Sequence, residues 1–252
     1  MVRFVALRAA AFGAALFSGA VTASAAPNFD WAGPFLGVQG GLSEAAFKAT
    51  GTISYGSYSG STSKSYGGPL ANEFGVNGGY LWQSAQGIVV GGIADFNWTN
   101  LSGKSAPLLS IGLCPALACA NLGTVETDVN WYGTARAVVG QAIGQLLIYG
   151  TGGLAYGNVS SVTSANVKVL GSTIWSESAD HSGARWGWTA GAGAAIAINE
   201  RVSLKLEYLH VNLAEEQIFG WSGKVGGKTL SKAVLDDPDF NVVRVGLTVR
   251  FP

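Results

Sequence analysis

Residues 241–251 read Asn241-Val242-Val243-Arg244-Val245-Gly246-Leu247-Thr248-Val249-Arg250-Phe251. Val243, Val245, Leu247, Val249 and Phe251 share one parity; Arg244, Gly246, Thr248 and Arg250 share the other. Successive side chains of a strand point to opposite faces, so this stretch is a strand with one apolar face and one small or charged face. The same pattern recurs in six further stretches towards the N-terminus, and a seventh stretch is strand-like but apolar throughout. In 201–211, Val202, Leu204, Leu206 and Tyr208 alternate with Ser203, Lys205 and Glu207. In 185–198, Trp186, Trp188, Ala190, Ala192, Ile196 and Ile198 alternate with Arg185, Thr189, Gly191 and Gly193. In 127–139, Val129, Trp131, Ala135, Ala137 and Val139 alternate with Asp128, Asn130, Thr134 and Arg136. Stretches 87–98, 73–83 and 33–43 follow suit, whereas 146–157 is apolar on both parities and leaves its faces unassigned.

Each stretch is close to the roughly 9–11 residues with which a tilted strand crosses a bilayer. The connections between them alternate short (84–86, 140–145, 199–200) and long (44–72, 99–126, 158–184, 212–240). Loops of about 20 residues argue against a compact soluble domain, but short turns on one side and long loops on the other are the habit of membrane barrels. Gly, Ser, Thr and Asn dominate the long connections, as in 51–68, so mobile loops are expected there. The polar face of 185–197 is Arg185, Gly187, Thr189, Gly191, Gly193, Ala195 and Ala197, which suits a crowded interior better than a solvated surface. Aromatic residues on the apolar face gather at the two strand ends. Trp82 and Phe251 mark one, and Trp98, Trp131, Trp186, Trp188 and Tyr208 mark the other, as in the girdles at two membrane interfaces. The expected fold is therefore all-β: an eight-stranded antiparallel transmembrane up-and-down β-barrel with short periplasmic turns and long outer loops. Ordinary amphipathic packing of a soluble sheet is the competing reading.

Composition agrees with this. Only 12% of residues are charged and 37 of 252 are glycine, against roughly 25% and about 7% in soluble domains. Fifteen basic and 15 acidic residues leave no electrostatic footprint for nucleic acid. After the N-terminus, no run of about 18 apolar residues provides a transmembrane helix. Residues 1–26 have the form of a secretory signal peptide: Arg3 and Arg8, an apolar core at 9–21, then Ala23-Ser24-Ala25 as a cleavage pattern. Residues 27–252 are then the outer-membrane barrel domain. Export implies an oxidising compartment, where Cys114 and Cys119 are candidates for a disulfide closing a short loop. Two thiols without a nearby histidine lack the ligand count of a metal site.

The expected lumen sets Glu73, Asp95, Asp128 and Glu207 against Arg136, Arg185, Lys205, Arg244 and Arg250. About eight strands leave an interior that side chains can fill, and charges in so small a space need partners. A plug of ion pairs is favoured over a charged pore lining.

The opening Phe29-Asp30-Trp31-Ala32-Gly33-Pro34-Phe35-Leu36-Gly37-Val38-Gln39-Gly40-Gly41 resembles that of small outer-membrane proteins of alphaproteobacteria. These are the porin-like "outer membrane immunogenic protein" type of eight-stranded barrel, related to the opacity proteins. Further matches are Gly91 to Trp98, Thr151 to Gly157, Gly187 to Gly193, Lys205 to Leu209 and Asn241 to Leu247. The resemblance implies surface exposure, a role in envelope integrity or host contact, and no shared catalytic residues. It also implies a terminal aromatic read by the barrel assembly machinery, where Phe251 is followed by Pro252. Ala195 stands where such proteins often carry a glutamate.

Three local motifs point elsewhere. Gly223-Lys224-Val225-Gly226-Gly227-Lys228-Thr229 is one residue short of a phosphate-binding loop and lacks the strand–loop–helix context, so it reads as a basic outer loop that touches lipopolysaccharide phosphates. His181 and His210 are the only histidines. They invite a lipid hydrolase or haem reading, but no orienting acid or oxyanion site accompanies them. His181 is expected in a loop and His210 in the outer interface. Asn97-Trp98-Thr99 is a chance glycosylation match. The expected function is a structural, surface-exposed barrel, not an enzyme, without cofactor. Its partners are outer-membrane lipids, lipopolysaccharide, the assembly machinery and a host or surface ligand, and not nucleic acid. The alternatives are a narrow diffusion channel and, behind it, a lipid-modifying enzyme or a haem binder.

Overall fold

A computed structural model describes residues 29–55, 57–105, 109–112, 118–169, 172–214, 216–225 and 228–251. Its strands are β1 (Gly33–Ala45), β2 (Phe47–Tyr55), β3 (Tyr58–Tyr66), β4 (Ala71–Gln83), β5 (Ile88–Lys104), β6 (Leu109–Gly112), β7 (Ala118–Ile143), β8 (Leu146–Val169), β9 (Ser172–Ala197), β10 (Val202–Leu213), β11 (Glu216–Val225), β12 (Lys228–Asp237) and β13 (Asp239–Arg250). Eight of them form a closed antiparallel ring in the order β5-β4-β1-β13-β10-β9-β8-β7, and β7 pairs back with β5. The first ring strand lies beside the last, with Val38 opposite Leu247. Closure removes the sheet edge and pairs the backbone groups that lipid cannot solvate.

Three tight turns join ring strands at one end. Ser84–Gly87 closes with Gly87 N–H donating to Ser84 O, and Gly87 takes a positive φ of 81°. Gly144 (φ 61°) and Gln145 link β7 to β8. Asn199 Oδ1 accepts from the Arg201 and Val202 amides before β10.

The other end departs from expectation. Among the described residues, most of the long connections are further strands rather than irregular loops. β11-β12-β2-β3 make a four-stranded sheet, β6 adds to β7, and the β8–β9 hairpin runs on to Val169 and Ser172. β7 and β9 are 26 residues long, well beyond what a bilayer needs. Their polar composition suggested loops, yet Thr and Val keep the strand preference and the barrel ladders continue outward through local register shifts. Val159, Ser161 and Thr163 bury one face of β8 in step with the barrel below, and Thr50 and Ser63 hydroxyls pair across β2 and β3 at 2.9 Å.

The two faces of the ring differ as the alternation requires. Leu36, Val38, Phe74, Val90, Ile148, Leu204 and Leu247 are exposed outside. Gln39, Asn77, Asp95, Arg136, Glu207 and Arg244 are buried inside. In the stretch unassigned by sequence, Leu147, Tyr149 and Thr151 point in, while Ile148 and Leu154 point out. One strand changes parity part-way. The β7–β8 ladder is irregular between Val129 and Trp131, leaving Asn130 without a counterpart. Beyond it Val125, Thr127 and Val129 are buried, so Val129 faces in rather than out.

Candidate functional site

The interior is stacked in three layers. Midway, four side chains with no exposure at all form a knot: Asp95, Arg136, Glu207 and Arg244. They come from β5, β7, β10 and β13, which the closed ring brings face to face. Arg244 Nε and Nη2 donate to Glu207 Oε2 at 2.8 and 2.6 Å. Arg136 Nη1 donates to Glu207 Oε1 at 2.9 Å and its Nη2 to Asp95 Oδ2 at 2.8 Å. Arg244 Nη2 also reaches Asp95 Oδ2 at 3.1 Å. Neutral groups fill the remaining valences: Thr134 donates to Asp95, and Asn97 links Asp95 to Gln39, which in turn accepts from Asn77. Such saturation is what a charge needs when water is excluded.

One further carboxylate, one cation and a tyrosine hydroxyl border the knot. Glu73 accepts from the Tyr132 hydroxyl and lies 3.6 Å from Arg244 Nη1. Lys205 Nζ lies 4.0 Å from Glu207 Oε2 and has no hydrogen-bond partner among the described residues. Tyr149 reaches Glu207 Oε1 at 3.1 Å by crossing over Gly193, the register partner of both residues. A methyl at Gly193 would sit 2.6 Å from the Tyr149 ring and hydroxyl.

Apolar layers close the knot from above and below. On the hairpin side Phe47, Leu101, Val129, Leu209, Leu213 and Phe240 pack together. On the side of the short turns Trp31, Phe35, Val89, Ile93, Val138 and Leu147 do so.

Two residues expected in the ion-pair network lie elsewhere. Asp128 belongs to the part of β7 beyond Asn130 and takes the outward parity, because the irregularity there turns Val129 inward. Arg250 sits at the mouth on the turn side, with its guanidinium over the rings of Phe29 and Trp31. Arg185 is buried on the inward face of β9 at the level of Tyr132, both being register partners of Gly157. The sequence reading missed Tyr132, Tyr149 and Gln39 as members of the interior network. Tyr132 shares the parity of Thr134 and Arg136, and that was the available signal.

Outside, the aromatic residues make a belt at the hairpin end. Phe96 stacks on Trp131 at 5.3 Å, Trp131 contacts Tyr156 at 5.8 Å, and Tyr156 contacts Trp186 at 4.7 Å. Trp98, Trp186, Trp188 and Tyr208 are exposed in this belt, and Trp82 and Phe251 are exposed at the opposite end. Trp188 also touches His210, whose ring nitrogens face Asn241 Oδ1 and Asp239 Oδ1 at 3.1 and 3.3 Å. His181 lies in the β8–β9 extension opposite Ser161 rather than in a loop. Cys114 falls outside the described residues, and with it the pairing with Cys119; so do residues 1–28 and the Gly226-Gly227 tip of the glycine-rich run. Among the described residues no group of three or more His, Cys, Asp or Glu could hold a metal ion.

The chain is similar in sequence to known proteins. A 31 kDa outer-membrane immunogenic protein of Brucella melitensis is 34% identical over 238 residues, covering 92% of this chain and 88% of that one. A 22 kDa outer membrane protein of Rhizobium leguminosarum bv. viciae is 27% identical over 227 residues, 89% of this chain and 80% of that one. Among solved structures, OprG from Pseudomonas aeruginosa aligns over 89% of this chain and 99% of its own, with TM-score 0.47 and 12% identity. The family model described as "Outer membrane protein beta-barrel domain" matches residues 13–251. The chain thus belongs to the outer membrane protein β-barrel domain family, within its alphaproteobacterial branch, and resides in the cell outer membrane.

Proposed function

We propose that this barrel is a non-conducting, non-enzymatic surface scaffold, which supports the envelope and presents its outer hairpins to lipopolysaccharide and to a host or surface ligand. The observation that carries this reading is the fully buried charged knot of Asp95, Arg136, Glu207 and Arg244, held between two apolar layers. An ion crossing the barrel would have to part charge-assisted hydrogen bonds of 2.6–2.9 Å, the strong kind. The outer hairpins then carry whatever recognition the protein performs, since recognition gathers in segments held on a rigid frame.

A narrow channel is the second reading. Lys205 Nζ, buried and without a hydrogen-bond acceptor among the described residues, supports it, because a buried ammonium without acceptors calls for water. Single-channel recording of the refolded mature chain in a planar bilayer tests both, with a heat-shifted gel band as the check on folding. A folded band without conductance fits the scaffold. Steady openings overturn it in favour of the channel.

A further inference from the structure

The segment ahead of β1 does not hang free at the periplasmic mouth. Trp31 is only 3% exposed and forms the floor of the apolar layer on that side. Its backbone N–H donates to Gln83 Oε1 at 2.7 Å, beside the Ser84–Gly87 turn. Asp30 Oδ1 accepts from the Ala32 amide, which fixes the chain as a compact turn. Phe29 meets Trp31 edge to face at 4.8 Å. Arg250 covers both rings, with its guanidinium carbon 4.2 Å from the Phe29 centroid and 5.4 Å from that of Trp31. Cation–π contact of this kind is attractive and reversible.

We propose that Phe29–Ala32 is a hinged stopper of the periplasmic mouth, with Trp31 as its body, Gly33 as its hinge and Arg250 as its latch. Gly33 is where the chain turns from across the mouth into β1, at a φ of 118° that other residues rarely adopt. The closed position is poised rather than locked, because Trp31 Nε1 is buried without an acceptor among the described residues, a loss that water would repair. An open depression of about 380 Å³, lined by Phe29, Asp30, Gln83, Gln86 and Ala142, borders the segment and gives it room to swing. Lifting it uncovers the inward residues of β13 between the mouth and the charged knot. The stopper deepens the closed-barrel reading and rests on it.

The test uses the refolded mature chain with Cys114 and Cys119 changed to serine. A reporter cysteine replaces Thr248, which lies inward between Arg250 and Arg244, or Val242, which lies inward beyond the knot. Labelling by a small cationic methanethiosulfonate is timed in each. The closed barrel predicts slow labelling at both positions. Arg250→Gln, which removes the latch without opening a cavity, and Trp31→Ala should each speed labelling at position 248 by at least tenfold and leave 242 slow. An unchanged rate at 248 in a folded Arg250→Gln protein overturns the stopper while leaving the closed barrel standing. So does a rise at both positions together, which is general loosening. Fast labelling at both positions without either substitution overturns the closed barrel itself. Should Trp31→Ala fail to give the heat-shifted band, Arg250→Gln decides.

Discussion

Glu207 and Arg244 stand directly opposite each other on β10 and β13, and Nε and Nη2 of the guanidinium both donate to the single oxygen Oε2. The other oxygen is left to Arg136 and Tyr149. Glu207 is therefore the hinge of the knot, shared between two arginines, and losing either arginine leaves the buried carboxylates of Glu207 and Asp95 with a single guanidinium between them. Arg244→Met should destabilise the barrel by about 3–5 kcal/mol, the usual result of breaking a buried ion pair from one side. Urea titration of folding in lipid vesicles measures it. A loss below about 1 kcal/mol would mean that water reaches Glu207 and Asp95.

Leu247 and Thr248 are neighbours in sequence on opposite faces: Leu247 is 47% exposed and Thr248 is 9% exposed. In a membrane the exposed one touches acyl chains. Leu247→Arg should therefore cost about 2–4 kcal/mol if it lies near the bilayer midplane, measured by the same titration in vesicles. In detergent micelles, which deform around a charge, the penalty should shrink. Equal, small effects in both media would place Leu247 away from hydrocarbon.

Much of this was legible in the sequence. The ring strands announced themselves by alternation, as in Val243 to Phe251, and the charged residues on the inward parity included the four of the knot, together with Asp128 and Arg250, which lie elsewhere. Three features were hidden, each for a physical reason. The outer strands β2, β3 and β12 carry Ser, Thr, Gly and Lys, the vocabulary of loops, and their strand character comes from continuing the barrel's register. Tyr149 sits in a stretch that is apolar on both faces, so parity had nothing to discriminate; only its reach over Gly193 defines its role. The change of parity in β7 is marked by neither Gly nor Pro, so Asp128 and Val129 were assigned to each other's faces.

That irregularity makes its own prediction. Deleting Asn130 would restore strict alternation while keeping Val125, Thr127 and Val129 inside, since Val129 would then stand two places before the inward Tyr132. Val125 and Val129 are fully buried, and exposing both would cost about 3 kcal/mol, so the deletion should cost well below that. Asn130→Ala keeps the residue count and should change stability by less than about 0.5 kcal/mol. The temperature at which the gel band shifts ranks the two. A loss near about 3 kcal/mol on deletion would show that the outer part of β7 turns its faces over.

Gly193 tests the finest element of the site. It lies between Tyr149 and Glu207 in one row of register partners, and the tyrosine ring occupies the space a side chain would take. Gly193→Ala forces the ring off that path and separates its hydroxyl from Glu207 Oε1. Overpacking of this kind costs about 1–3 kcal/mol. Tyr149→Phe, which removes only the hydroxyl, should cost about 1 kcal/mol. In the double variant the hydrogen bond is already absent, so Gly193→Ala should cost less there than in the parent chain. Strict additivity in that cycle would show that the glycine serves strand packing alone and that the tyrosine reaches Glu207 without its help.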